Sequence, residues 1–194
     1  HHDRWPTKGF DSVHQGSALA MEREIMNDAD VARNIEKLAR VILKKHTNDA
    51  FCLIGIITAG YRLAQRLAQV IQKMDGRRID VGKLDVSLYR DDLSTRGSYI
   101  TIQASDIPFD INGRPVVLVD DVLFKGRTVR AALDGILDYG RPSYIELAVL
   151  IDRGHRELPI QPTYVSEVIE TAVGETVRVE ISLGDDNDRV VVSK

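Results

Sequence analysis

With 194 residues the chain can bury one good core, and its 43% apolar and 28% charged residues are those of an ordinary globular protein. No apolar run approaches the roughly 18–20 residues needed to cross a bilayer, so no membrane segment or membrane partner is expected. Twenty-six basic residues against 29 acidic ones leave a net charge of −3, so any nucleic-acid contact must come from a local basic patch; Cys52, the single cysteine, excludes an internal disulfide and fits a reducing compartment.

Residues 1–20 are unlike the rest: His1 and His2 lead a stretch with Trp5, Pro6, Gly9, His14 and Gly16 but no periodicity. They are expected to be an affinity-tag and linker remnant, the alternative being a natural arm, which leaves residues 21–194 as one domain. From there Asn27 or Asp28 can cap a helix with Asp30 in its first turn. Val31, Ile35, Leu38 and Ile42 mark its apolar face. Arg33, Lys37, Arg40 and Lys44 recur at the same spacing on the other side. That stripe is either a solvated face or the most credible basic surface of the chain, with Glu36 sitting inside it.

Residues 51–57 read as a buried strand, followed by Thr58-Ala59-Gly60 and a helix on Leu63, Leu67, Val70, Ile71 and Met74 that ends at Asp75-Gly76. Leu84, Val86 and Leu88 alternate well enough for a strand over 83–89. The polar stretch from Arg90 through Asp91 and Asp92 to Ser98 is then either a surface excursion or a lid.

The most informative stretch is Pro115 to Val129. Val116 to Val119 reads as a buried parallel strand that ends on Asp120 and Asp121, and a loop with Gly126 leads into a helix on Val129, Leu133, Ile136 and Leu137. Gly140 and Pro142 are its stop signals. Two carboxylates thus stand at the C-terminal edge of a strand, where open α/β sheets place ligands, and a helix start suited to phosphate lies a few residues on. The acids can accept hydrogen bonds from sugar hydroxyls or help hold a divalent cation. A plain helix cap with a solvated turn is the competing interpretation of the same pattern.

Residues 144–151 give another apolar strand running into Asp152-Arg153-Gly154-His155-Arg156, with Pro159 and Pro162 beyond. Residues 164–169, 177–181 and 190–192 are short strand candidates, and Asp185 to Asp188 form the polar turn of a terminal hairpin. Alternating strands and helices argue for one α/β domain with a mainly parallel sheet flanked by helices.

The string Val-Val-Leu-Val-Asp-Asp-Val-Leu-Phe-Lys-Gly-Arg-Thr (116–128) resembles the phosphoribosyl-pyrophosphate motif of the type I phosphoribosyltransferases. Leu88 to Leu93, Ala104 to Pro108 with Asp110, and Asp152 to Ile160 (Asp-Arg-Gly-His-Arg-Glu-Leu-Pro-Ile) resemble one branch, the pyrimidine operon attenuators that are also uracil phosphoribosyltransferases. The resemblance runs from about Met21 to the C-terminus. It implies the type I fold with a small hood built from flanking segments. It also implies Mg²⁺-dependent transfer from phosphoribosyl pyrophosphate to uracil, giving UMP and pyrophosphate, and UMP-dependent binding to the pyrimidine-operon mRNA leader. A homodimer or higher homo-oligomer in the cytoplasm is implied as well.

On this resemblance Asp120 and Asp121 would hold the ribose hydroxyls as positive charge develops at the anomeric carbon. Val122, Leu123, Phe124, Lys125, Gly126, Arg127 and Thr128 would wrap the 5′-phosphate, and Thr58, Ala59 and Gly60 would receive pyrophosphate. Arg90 and Arg153 are candidates for phosphate or nucleotide contacts, Arg90 having an ion pair with Asp91 or Asp92 as its alternative. His155 is expected to be a hydrogen-bonded loop histidine more than a base. Lys37 and Arg40, with Arg153 and Arg156, are the RNA candidates. Two positions depart from the family. Ala59 stands where an Arg is usual, removing an anion contact, and Lys125 replaces a Thr. These departures keep two alternatives open: an RNA-binding nucleotide sensor with weak or no transfer, and a phosphoribosyltransferase for another base.

Overall fold

The computed structural model describes residues 21–91, 104–184 and 187–194. The expected leader (1–20, with His1, His2 and His14), Asp92 to Ser98 of the polar excursion, and Asp185 and Asp186 of the terminal turn lie outside the described residues.

Five parallel strands form the main sheet, in the order β3-β2-β4-β5-β6: β2 (Cys52–Ile56), β3 (Val81–Leu84), β4 (Pro115–Leu123), β5 (Tyr144–Asp152) and β6 (Tyr164–Val168). Alternation along β2 and β4 divides the core between its two faces. Leu53, Val117 and Val119 pack under α1 (Asp28–Lys45) and α2 (Ala59–Asp75), whereas Ile54, Val116 and Leu118 pack under α3 (Arg127–Leu137). A sheet covered on both faces explains strands that are apolar throughout. The hood is a three-stranded antiparallel sheet, β1-β8-β7, made of β1 (Arg23–Met26), β7 (Thr176–Glu180) and β8 (Arg189–Ser193).

Helix α1 starts where its cap dictates. The Asn27 side chain accepts from the Asp30 amide at 2.9 Å, and Asp30 accepts from the Asn27 amide at 3.1 Å. Its apolar face, including Val31, Ile35, Leu38 and Ile42, is fully buried. Helix α2 ends at Gly76, whose φ of 80° suits a residue without Cβ.

Three expectations change. The strand expected over 83–89 covers only 81–84. The Asp85 carboxylate accepts from the amide and hydroxyl of Ser87, and the chain folds into a 3₁₀ turn at Ser87–Tyr89 that leaves Leu88 exposed. Strand β4 does not stop at the acids but continues to Leu123, because β5 pairs with it as far as Leu123 opposite Asp152. On α3, Leu137 is exposed and the buried face is Val129, Ala131, Ala132, Gly135 and Ile136. Among the described residues no helix is long and apolar enough to cross a membrane.

Candidate active site

The C-terminal ends of β2, β4 and β5 and the N-terminal ends of α2 and α3 meet at one edge of the sheet. Lys125 and Gly126 follow β4, and Gly126 caps α3 with a φ of 93°, a conformation that costs a residue with a Cβ. The loop then enters the helix at once, so its first-turn amides face a cavity of about 170 Å³. Arg90, Asp120 and the stretch from Val122 to Val129 line it. Arg90 Nη1 donates to Thr128 Oγ1 at 3.1 Å, placing a guanidinium beside the start of α3. Asp91, one of the alternative partners of Arg90, pairs with Arg127 at 2.7 Å. Asp92 lies outside the described residues.

The two acids line adjoining cavities. Asp120 enters the cavity with Arg90, while Asp121 lines the neighbouring cavity of about 380 Å³ with Arg153, Gly174, Glu175 and Thr176. Val122 and Phe124 line both, so the cavities adjoin along β4. The Asp121 amide donates to Asp120 Oδ1 at 2.9 Å. Burial, and then the neighbouring Asp121 carboxyl, raise the Asp120 carboxyl well above the usual carboxylate range, with Arg90 opposing. Burial raises Asp121 as well. Such buried carboxyls have clear use for a hydroxyl-bearing or cationic ligand at this edge.

Thr58, Ala59 and Gly60 border the site differently from a free turn. Ala59 and Gly60 already belong to the first turn of α2, and the Ile57–Thr58 peptide is cis. A Cβ on Gly60 would stand 2.6 Å from the Val119 carbonyl oxygen, so only glycine lets α2 approach β4 beside Asp120.

The Asp152–Ile160 loop packs against the turn from Phe124 to Gly126. Arg153 is only 5% exposed; its guanidinium lies 4.0 Å from the Phe124 ring centroid and donates to Thr171 Oγ1 and the Ala172 carbonyl. Arg156 pairs with Asp152 at 2.6 Å and donates to the Phe124 and Ile160 carbonyls. These hydrogen bonds hold both guanidiniums against the fold, Arg153 buried and Arg156 half-buried. Arg153 keeps its place beside the second cavity. His155 donates from its ring to the Thr171 carbonyl, as a loop histidine would. Lys125 and Arg127 both pair with Glu157, at 3.1 and 2.9 Å, and this pulls the Glu157 carboxyl below its ordinary range. Glu157 belonged to a recognised string but carried no assigned role. Its sign opposite to Lys125 and Arg127 was the available signal.

Lys37 and Arg40 lie on the exposed face of α1, away from these cavities. Lys37 Nζ donates to the Ser166 carbonyl of β6 at 2.7 Å and stands 3.8 Å from Glu167.

A family model described as the phosphoribosyl transferase domain matches residues 23–182. A protein of Elusimicrobium minutum named bifunctional protein PyrR is 44% identical over 173 residues, covering 89% of this chain and 97% of that one. Another of that name, from Chloroflexus aurantiacus, is 47% identical over 175 residues, covering 90% and 96%. Among solved structures, a hypoxanthine phosphoribosyl transferase of Trypanosoma cruzi superposes with a TM-score of 0.67 at 17% identity, covering 92% of this chain and 94% of that one. A hypoxanthine-guanine phosphoribosyltransferase of Bacillus anthracis gives 0.62 at 18%, covering 76% and 83%. The structural likenesses establish the fold.

Proposed function

Because this chain belongs to the phosphoribosyltransferase family, and within it to the bifunctional PyrR proteins, we propose that it transfers phosphoribosyl from phosphoribosyl pyrophosphate to uracil and regulates pyrimidine genes. The observation that carries the enzymatic part is the junction of β4 and α3. A ribose 5-phosphate set there has carboxyls from Asp120 and Asp121 at its hydroxyl side. At its phosphate side are first-turn amides, Thr128 and the Arg90 guanidinium.

In the transfer, the bond from C1′ to the pyrophosphate oxygen breaks and a bond to uracil N1 forms, with loss of the N1 proton. Positive charge develops on the sugar as the leaving group departs. Asp120 and Asp121 steady it through the ribose hydroxyls, while the phosphate cradle holds the 5′ end so that the reacting atoms stay aligned. The second cavity, beside Asp121 and Arg153, receives the base end of the nucleotide. Two carboxylates form a hard-oxygen donor set that fits Mg²⁺, and among the described residues no cluster of three or more His, Cys, Asp or Glu could hold a metal unaided. Asp120 and Asp121 are the side chains that would help hold Mg²⁺ carried by phosphoribosyl pyrophosphate, and the ion would supply positive charge to the leaving pyrophosphate.

The regulatory part is UMP-dependent binding of the pyrimidine-operon mRNA leader in the cytoplasm. Its surface is the exposed α1 face of Arg33, Lys37, Arg40 and Lys44, with Lys37 and Arg40 central. Unpaired leader bases supply the sequence reading. The chain works as a homodimer or higher homo-oligomer, which light scattering tests.

Conversion of labelled uracil to UMP with phosphoribosyl pyrophosphate and Mg²⁺ is the test of transfer; no product above background at high enzyme would reject it. One observation favours a second reading, regulation with weak transfer: Ala59 at the start of α2 offers no guanidinium to the leaving group. Uracil as the base, against another base, is decided by competition in the same assay.

A further inference from the structure

The 3₁₀ turn that delivers Arg90 is itself held to the far end of α3. Tyr89 sits with its ring over Gly135, where a Cβ would meet ring atoms Cε2 and Cδ2 at 3.3 and 3.4 Å. The missing side chain at Gly135 thus makes room for the ring, which also packs on the apolar cluster under α3. The Tyr89 hydroxyl donates to the Asp138 carboxylate, just past the last residue of α3. One residue later, Arg90 reaches Thr128 at the other end of the same helix. Thr128 and Asp138 are ten residues apart, about 15 Å along a helix axis. Two adjacent side chains therefore run in opposite directions and grip α3 near both ends. After Arg90 the chain is pinned again by the ion pair of Asp91 with Arg127.

From this arrangement we infer that Tyr89, seated on Gly135 and bonded to Asp138, is a positioning residue that sets Arg90 against the phosphate loop. The inference rests on the phosphoribosyl reading of the cleft. A long arginine side chain loses rotamer freedom when it binds an anion, and fixing its backbone in advance lowers the ordering cost on binding. The hydrogen bond to Asp138 raises the Tyr89 phenol above its ordinary range, so the hydroxyl remains a donor at neutral pH. Asp138 stands at the C-terminal end of α3, where the helix dipole disfavours an acid. The carboxylate is thus poorly placed for the helix and well placed for Tyr89.

Calorimetry with UMP and steady-state rates with phosphoribosyl pyrophosphate test the role in Tyr89→Phe, Asp138→Ala, Arg90→Ala and the Tyr89→Phe/Arg90→Ala double variant. Tyr89→Phe and Asp138→Ala are each expected to weaken UMP binding, and raise KM for phosphoribosyl pyrophosphate, about 3- to 10-fold. In both, kcat stays within about twofold, because the phosphate handle is far from C1′. The melting temperature of Asp138→Ala is expected to hold or rise, since the dipole conflict is removed. In the Arg90→Ala background, Tyr89→Phe adds no further loss. An equal loss in both backgrounds, or UMP binding unchanged in Tyr89→Phe, overturns the positioning role. A wild-type chain that binds no UMP overturns the cleft reading itself, which keeps the two failures apart.

Discussion

Gly60 and Asp120 are locked by contact: a Cβ on Gly60 would fall 3.1 Å from the Asp120 Cα and 3.2 Å from its Oδ1. The first turn of α2 and the acid-bearing part of β4 can be neighbours only while that side chain is absent. Gly60→Ala must therefore push backbone from backbone, at about 1–3 kcal/mol of stability. The displaced acid should slow transfer roughly 100-fold. Thermal melts beside UMP-formation rates check both, and a variant with normal activity would contradict the contact.

Asp120 links stability to pH with a definite sign. Its carboxyl is raised in the folded state, chiefly by burial, so the native protein binds more protons than the unfolded chain from the ordinary carboxylate pKa up to the raised one. Its contribution to stability accordingly falls as pH rises through that window. Asp120→Asn removes the buried charge and can still accept from the Asp121 amide. The unliganded variant should be more stable at pH 8 by about 1 kcal/mol, about 2–4 °C, while losing transfer. The gain should shrink toward pH 4. Melting curves across that range test the sign, and a variant less stable at pH 8 would reverse it.

Ala59→Arg restores a guanidinium at the start of α2. A charge-assisted contact to departing pyrophosphate lowers the barrier by about 2–4 kcal/mol, roughly 30- to 1,000-fold in rate. The gain should appear in kcat, with KM for uracil little changed. An unaltered kcat would mean that this turn does not receive the leaving group.

What could be read from residue order was local. The cap at Asn27 and Asp30, the helix end at Gly76 and the strand–loop–helix order of β4 and α3 each carry their signal within a few residues, and each is present, although β4 runs further than expected. The missed elements depend on distant partners. β1 is four residues, two of them exposed, and exists because Arg23 and Glu24 pair with Val192 and Val191 of β8. Polar residues at 120 and 121 suggested a strand end, but the ladder to β5 holds β4 extended past them. Arg90 meeting Thr128 joins residues 38 positions apart, which no short motif encodes. The buried network of His46 with Asp49, Glu146 and Tyr164 had no sequence signal either, since Glu146 comes 100 residues after His46.

The α1 surface makes a salt-dependence prediction. If Lys37 and Arg40 each neutralise one phosphate of a single-stranded segment, each contributes about 0.7 to the slope of log K against log salt. Lys37→Ala/Arg40→Ala should lower that slope by about 1.4 and weaken leader RNA binding in the presence of UMP, leaving uracil transfer unchanged. Filter binding at several salt concentrations measures it. An identical slope would move the RNA surface elsewhere.

The most direct measurement is a crystal structure of the chain with UMP. The 5′-phosphate should lie within about 3 Å of the amides that open α3 and near Thr128 and Arg90, with the ribose hydroxyls on Asp120 and Asp121. UMP bound at another surface, with the β4–α3 junction unliganded, would contradict the assignment of this cleft.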